Sequence, residues 1–324
     1  FTGKESKGER TLEPIDFPDK YENLIRLAQQ ALADHQYLQA KTFLQRALEL
    51  KGTFEANRLL VLCLVELDEK KEALNQAFPY ENDYLTDEKV AAFYFDLLIQ
   101  TKDYLYARKL IASYDFSDLF EQLMVEKIQQ AENFTSQNDR QKIRKIHLSV
   151  EKMPTMPPAE QLLVVSEIEE LPYHELVQTI KKMIILPEIH LLVRAKMLES
   201  LVQVKKHQPV VYLTMDQTFI EVIPATLPKP EKQKAYEQLM RLAEAYEDQD
   251  AYLSTVLKEE FMMQSALLYP VYDTYVGDPQ KWFADTLSMY DPNYNNRQTE
   301  AEEADFLEKR GNILREMLLF QSDR

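Results

Sequence analysis

Oxygen-bearing side chains near the carboxyl end of the chain have the spacing of a calcium-binding loop. Ligand positions 1, 3, 5 and 12 of such a loop hold Asp291, Asn293, Asn295 and Glu302. Carboxylate and amide oxygens in this order bind Ca²⁺ between two helices. A capping box explains the same residues without a metal, since Thr299 and Glu302 have the spacing that begins a helix. We favour the capping box, so the sequence predicts no bound metal.

Other arrangements that would support catalysis or cofactor binding are missing from the sequence. The five histidines are never closer than 16 residues, which excludes the paired histidines of common zinc sites. Only five glycines are present, and none forms the fingerprint of a dinucleotide site or a phosphate loop. The single cysteine, Cys63, lies in an apolar helical segment, where packing is favoured over reactivity. The sequence therefore predicts no cofactor and indicates no catalytic residue, although an enzymatic function stays open.

Aromatic side chains are concentrated between residues 269 and 294. The group consists of Tyr269, Tyr272, Tyr275, Trp282, Phe283, Tyr290 and Tyr294. Tyrosine and tryptophan often line ligand pockets because they combine apolar area with a polar atom. The alternative is that they form the core between short helices, and we favour this packing role.

The charge balance of the chain limits its partners. The sequence has 54 acidic and 38 basic residues, and a net charge of −16 disfavours binding to nucleic acid. The longest apolar run, from Leu59 to Val65, is much shorter than the ~20 residues of a membrane-spanning helix. With one cysteine and no signal-like segment at its start, the chain is expected to act in the cytoplasm.

Three alanines recur at a nearly constant interval in the first third of the chain. Ala40, Ala73 and Ala107 are 33 and 34 residues apart, and each follows a polar break. Apolar residues with a helical period lie on both sides of each break. This pattern predicts successive pairs of helices joined by similar turns.

At these positions the chain resembles the tetratricopeptide repeat (TPR) family, whose unit of about 34 residues is a pair of antiparallel helices. Ala28, Ala40 and Ala47 match its small residues, and Leu24 and Leu27 match its large ones. The resemblance implies a mainly α fold with a right-handed α-solenoid of helix pairs, although the tryptophan and closing proline usual in the family are missing. The chain is also similar to an uncharacterised Gram-positive bacterial TPR family with a carboxy-terminal extension, which implies no known activity.

The remaining sequence continues as irregular helices with one exception. The runs 210–215 and 218–223 are rich in β-branched and aromatic residues and predict a β-hairpin that turns at Asp216 and Gln217. Further helices are predicted at 119–134, 141–152, one ending near 170, 172–186, 187–206, 231–247, 250–268, 278–289 and 299–320. We divide the chain into a tail (1–20), TPR-like pairs (21–152), looser HEAT-like pairs (153–208) and a hairpin with helices (209–324).

Two functions follow from this organisation. By resemblance, a TPR array is a non-catalytic scaffold that binds a protein or peptide in a concave groove formed by its first helices. The corresponding groove positions here are Ile25, Gln29, Arg58, Leu62, Ala92, Asp96 and Gln100. Because Ile25 and Gln29 replace the Lys and Asn that hold a terminal carboxylate in some relatives, a chaperone-tail receptor is not expected. The alternative is an enzyme or small-ligand binder with its site between the helical array and the C-terminal hairpin and tyrosines.

Overall fold

The computed structural model describes residues 20–291, 294 and 299–321. This part of the chain is mainly helical and contains one two-stranded antiparallel sheet, which confirms the predicted mainly α class and hairpin. A bilayer-spanning helix is absent from the described residues, because none of their longer helices is sufficiently apolar. Contacts divide the chain into two compact units, the first ending at Lys102 and the second beginning at Asp103. We call them unit 1 and unit 2, and the divisions at 152 and 208 stay predictions.

Unit 1 consists of consecutive short helices. They are α1 (Tyr21–Ala33), α2 (Tyr37–Leu50), α3 (Phe54–Glu66), α4 (Lys70–Ala77), α5 (Glu81–Tyr84) and α6 (Glu88–Gln100). Within this unit α1 packs on α2, α2 on α3, and α3 on α4. The buried alanines Ala28, Ala40, Ala47 and Ala73 lie in these helices. A buried alanine allows two helix backbones to approach closely, so the recurring alanines lie where close packing needs them.

The turns that end α1, α3 and α6 share one backbone geometry. His35, Asp68 and Lys102 have left-handed φ angles of 56°, 60° and 64°. Their N–H groups donate to carbonyls three residues earlier, over 3.1, 3.0 and 3.1 Å. A left-handed residue with this hydrogen bond is the usual way to close a helix, and short polar side chains tolerate the conformation better than branched ones. The same turn therefore recurs with the 33- and 34-residue interval of the alanines.

Cys63 has the packing role that the sequence favours. The residue is buried in α3, and its thiol donates a hydrogen bond to the carbonyl of Tyr37, 2.8 Å away. Burial raises the pKa of the thiol and so keeps it in the neutral, unreactive form. The cytoplasmic location expected from the single cysteine stays a prediction.

Unit 2 has a helical part before the hairpin and another after it. The first part is α7 (Tyr104–Ser113), α8 (Asp118–Asn138), α9 (Arg140–Lys152), α10 (Pro158–Glu169), α11 (Tyr173–Met183) and α12 (Leu191–Gln203). Strands β1 (Val210–Leu213) and β2 (Phe219–Val222) pair with Val210 opposite Val222 and Leu213 opposite Phe219. The last part is α13 (Lys234–Ala245), α14 (Ala251–Leu268), α15 (Tyr272–Val276), α16 (Pro279–Tyr290) and α17 (Glu300–Gln321). The sequence did not predict α15.

The start of α12 differs from the sequence prediction, which placed it at Pro187. The helix begins at Leu191, after a turn that is held by the buried side chain of Gln161. Gln161 donates to the carbonyl of Glu188 over 2.9 Å and accepts from the N–H of His190 over 2.9 Å. These long-range hydrogen bonds satisfy the backbone of 188–190 without a helix, so tertiary contacts override the local helical pattern.

Two apolar clusters form the interior of unit 2. One joins α10, α11 and α12 to β1 and contains Ile168, Leu198 and Tyr212. The other is built mainly from α13 to α17 and contains Phe261 and Trp282. The hairpin is therefore anchored to the first cluster, while α17 is anchored to the second.

Candidate functional site

A cleft of about 1210 Å³ opens in unit 2 between the hairpin turn, the region around α15 and one side of α17. Its apolar lining comes from all three elements and consists of Met215, Ile220, Leu268, Val271, Leu318 and Leu319. Its charged lining consists of the acidic residues Asp216, Asp305, Glu308 and Glu316 and the basic residues Lys309 and Arg315. The cleft thus combines an apolar surface with an excess of negative charge.

The hairpin presents its turn to the cleft because β1 is fixed in the core. Tyr212 on β1 is buried in the first cluster, and the N–H of Leu213 donates to the carbonyl of Ile184 over 3.1 Å. In the turn, the Thr214 hydroxyl lies within hydrogen-bonding distance of the Asp216 carboxylate and the Thr218 carbonyl. The hydroxyl lowers the pKa of Asp216, which therefore faces the cleft as a carboxylate at neutral pH.

A buried ion pair fixes α17 against α14. The guanidinium of Arg310 donates to both carboxylate oxygens of Glu260, over 2.9 and 3.0 Å. Both side chains are largely buried, and Glu260 also accepts from Tyr290 and Gln264. The apolar residue Phe306 is buried on the same helix. These contacts hold α17 so that its cleft-lining residues keep a defined position.

His190 connects the other end of α17 to the start of α12. Its Nδ1 accepts a hydrogen bond from the N–H of Leu192 over 3.2 Å and so caps α12. Its Nε2 lies 3.0 Å from the carbonyl of Glu316, which can only accept, so Nε2 carries the proton. The ring also contacts Phe320, with centroids 5.6 Å apart. The neutral imidazole thus forms a hydrogen bond to the backbone of each helix, because Nδ1 accepts from α12 and Nε2 donates to α17.

We expect protonation of His190 to destabilise unit 2. Burial lowers the pKa of His190 below its ordinary value of 6.5, although the Glu316 side chain opposes this shift. A proton on Nδ1 would turn this nitrogen into a donor that faces the N–H of Leu192, so the hydrogen bond that caps α12 would be lost. The unfolded chain therefore binds this proton more readily than the folded chain, so stability falls as the pH decreases below about 6.5. Urea unfolding between pH 7 and 5, followed by Trp282 fluorescence, measures this loss.

The matched control for this pH dependence is His190→Asn, since asparagine caps a helix but does not titrate. The loss of stability between pH 7 and 5 should be smaller in the variant than in the parent protein. Equal slopes in the two proteins would show that His190 does not contribute.

Tyr275 and Lys309 form the wall of the cleft between the hairpin and α17. The Tyr275 hydroxyl donates to the Lys309 carbonyl over 3.1 Å, and the Lys309 ammonium lies 6.0 Å from the Tyr275 ring centroid. Burial, together with the negative charges of Asp216 and Asp305, raises the pKa of Tyr275 to about 12. Because Lys309 also pairs with Asp305 over 3.0 Å, one of the two basic side chains is already neutralised.

Most of the predicted aromatic group serves as core, as the sequence analysis favours. Tyr269, Tyr272, Trp282 and Phe283 are buried, and the Trp282 indole donates to Gln264 over 3.0 Å. The exposed ring of Tyr290 donates its hydroxyl to Glu260, and Tyr294 is exposed. Tyr275 is thus the member of the group that lines the cleft.

The described part of the calcium-loop pattern contains a capping box. Asn293 and Asn295 lie outside the described residues, and the capping box is confirmed for the other part of the motif. The Thr299 N–H donates to the Glu302 carboxylate over 3.0 Å, and the Glu302 N–H donates to the Thr299 hydroxyl over 3.3 Å. Lys281 and Thr299 together lower the pKa of Glu302 to about 2. Within the described residues, including Asp291, no group of three potential metal ligands is found.

The predicted groove residues lie in α1, α3 and α6 of unit 1, and they differ in exposure. Ile25 is buried and belongs to the core of the unit. The half-buried residues are Ala92 and Asp96, and the exposed ones are Gln29, Arg58, Leu62 and Gln100. Helix α1 contacts α3, while α6 contacts α4. The exposed members leave a smaller candidate surface than the sequence predicts.

The contribution of α17 to the cleft was not predicted from the sequence. Residues from 214–220, 268–275 and 305–319 meet there only after folding. In the sequence, the one indication of this contribution is the pair Leu318 and Leu319 close to acidic residues of the last helix. The structure shows that both leucines are exposed. Comparison of the chain with models of protein families, with curated proteins and with solved structures finds no match.

Proposed function

We propose that this chain is a non-catalytic binding protein that holds a basic, apolar peptide segment of a partner protein in the cleft of unit 2. In this proposal the TPR-like helix pairs form a solenoid that belongs to the same scaffold. The observation that carries the proposal is the combination, in one cleft, of an apolar lining with an acidic rim.

The size of the cleft favours a peptide over a small molecule. Its volume of about 1210 Å³ exceeds the ~300–1,000 Å³ of typical small-molecule pockets. Leu318 and Leu319 are 61% and 54% exposed at one end, where they offer contacts to apolar side chains of a partner. A peptide in an extended or helical conformation buries such residues along its length.

The charge of the lining selects the kind of peptide. Asp216, Glu308 and Glu316 face the cleft. Of the two basic side chains in its described lining, Lys309 pairs with Asp305, whereas Arg315 has no carboxylate partner and donates to Asn312 over 2.6 Å. Lysine or arginine side chains of a partner would compensate these carboxylates. The net charge of −16 favours the approach of a basic segment through long-range attraction.

A second contact surface is proposed on unit 1, at the exposed positions Arg58 and Leu62. Leu62 is 41% exposed on α3, one turn beyond Arg58, so an apolar and a cationic side chain lie together there. Arginine beside an apolar neighbour is a common anchor in protein interfaces. This surface would bind a different part of the partner from the segment in the cleft.

Selection from a random peptide library on the immobilised protein tests the proposal. We expect enrichment of sequences that combine Lys or Arg with Leu, Phe or Met. For a selected peptide, the double variant Asp216→Asn/Glu308→Gln should bind about fivefold more weakly, because two rim charges contribute roughly 1 kcal/mol together. Affinity is measured by fluorescence anisotropy at low and high salt, and the difference should shrink at high salt.

Matched control variants distinguish the effect of the cleft carboxylates on peptide affinity from the effect of the net charge. Glu244→Gln/Glu259→Gln changes the net charge equally, at exposed positions of α13 and α14 outside the cleft lining, and should leave affinity unchanged. If Arg58→Ala weakens the selected peptide and the cleft variant does not, the TPR-like surface is the primary site. If the library yields no basic, apolar consensus, the peptide proposal fails and the enzyme or small-ligand alternative gains support.

A further inference from the structure

A smaller pocket of about 250 Å³ lies beside the cleft in unit 2. Met215, Glu316 and Leu319 line both the pocket and the cleft. The rest of its lining comes from the start of α10 and the residues before it, the segment before α12, α12 itself and the hairpin turn, and it includes His190 and Arg194. The pocket therefore combines apolar lining residues with two carboxylates and one arginine side chain.

Arg194 is a buried cation with incomplete hydrogen bonding. The residue is 2% exposed, and its Nη1 donates to the carbonyl of Leu213 over 2.6 Å. Its Nε has no hydrogen-bond partner, and in the described part of the chain no carboxylate lies within 4.0 Å of the guanidinium. Burial lowers the pKa of Arg194, because the surroundings solvate its charge poorly. A buried charge without a counter-ion is unfavourable, so this position would gain from an anion.

The neighbouring acids limit which anion fits. Glu316 acts on Arg194 through its charge, but its carboxylate lies 3.5 Å from the Nε2 of His190 instead. Glu188 also lines the pocket. The two carboxylates would repel a phosphate dianion more strongly than a carboxylate, because a carboxylate carries a single charge. The planar carboxylate also matches the planar guanidinium. The apolar wall, with Leu191 and Met156, favours an apolar group attached to that carboxylate.

We propose that this pocket binds the carboxylate of an apolar acid, with the guanidinium of Arg194 donating to it. The acid is either a free aliphatic carboxylic acid or the carboxyl terminus of a peptide that ends in an apolar residue. The proposal does not depend on a basic peptide in the cleft, because the recognised group has the opposite charge and a different set of donors.

Nuclear magnetic resonance of the Arg194 side chain tests the proposal on the intact chain. The ¹H–¹⁵N resonance of Arg194 Nε is assigned by its loss in Arg194→Lys, or by through-bond correlation in the parent protein if that variant does not fold. The probes are hexanoate, acetyl-Leu-Leu with a free carboxyl terminus, the amides of both compounds, and inorganic phosphate. We expect a saturable shift of the Nε resonance with at least one acid, and none with its amide or with phosphate.

The affinities of the two acids identify the source of the carboxylate. Tighter binding of hexanoate supports a free acid, and tighter binding of acetyl-Leu-Leu supports a peptide terminus. Arg194→Lys should weaken the bound acid at least tenfold, whereas Arg315→Lys, in the cleft but not in the pocket, should not. An unshifted Nε resonance with both acids, or equal shifts with acids and amides, would overturn the proposal and leave Arg194 as an anchor of the hairpin.

Discussion

Replacing Arg310 by methionine should destabilise unit 2 by roughly 3–5 kcal/mol, the range for breaking a buried ion pair by removal of one partner. The variant leaves the Glu260 carboxylate, which is 6% exposed, without its cation. Tyr290 and Gln264 still donate to Glu260, so we expect a value near the lower end of this range. Urea unfolding followed by Trp282 fluorescence measures the change, since Trp282 bonds to Gln264 in the same network.

Two control variants show whether the loss of stability in Arg310→Met comes from the buried ion pair. Lys309→Met removes a cation from an exposed pair on the same helix, with Asp305, and should change stability by less than ~1 kcal/mol. Adding Glu260→Gln to Arg310→Met removes the unpaired charge and should restore part of the stability. If Arg310→Met and Lys309→Met unfold at the same urea concentration, the buried pair does not hold α17 in place.

Replacing Ala40 by leucine should destabilise unit 1 by roughly 1–3 kcal/mol, the usual effect of overpacking. Ala40 is fully buried in α2, and the recurring alanines place it where neighbouring helices approach most closely. A leucine there must push the helices apart or adopt a strained rotamer. Amide hydrogen exchange of α1 and α2 measures the loss of local stability, because Trp282 lies in unit 2 and does not report on unit 1.

The control for Ala40→Leu is Ala33→Leu, at an exposed position in the last turn of α1. Exposed alanine and leucine differ little in helix propensity. The local stability of α1 and α2 measured by exchange should therefore stay within a few tenths of a kcal/mol of the parent protein. Unchanged exchange in Ala40→Leu would show that the alanine interval does not mark close helix crossings.

Local patterns were sufficient to predict most elements of the fold. Two runs rich in β-branched and aromatic residues located the hairpin, and the Thr299–Glu302 capping box located the start of α17. Helix positions follow from apolar periodicity, which depends only on neighbouring residues. The prediction of α12 was wrong at its start because Gln161, far away in sequence, supplies hydrogen bonds to the backbone of 188–190, which is therefore not helical.

The candidate sites depend on contacts that no local pattern contains. Tyr275 was one of several tyrosines in the sequence, and only the fold separates it from the buried Tyr269 and Tyr272. Arg194 lies among apolar residues in the sequence, but only the fold shows that its side chain is buried. Ile25 was assigned to a groove by resemblance, whereas its side chain is buried in unit 1.

Hydrogen–deuterium exchange of the whole chain with and without a library-selected peptide shows whether the peptide binds in the cleft of unit 2. We expect slower exchange in the peptide-bound protein at the hairpin turn, 214–218, and along the cleft side of α17, 305–319. At a peptide concentration near the Kd of the parent protein, this slowing should be smaller in Asp216→Asn/Glu308→Gln and unchanged in Glu244→Gln/Glu259→Gln. Protection confined to α1, α3 and α6 of unit 1, with the hairpin turn and α17 unchanged, would contradict a peptide site in the cleft.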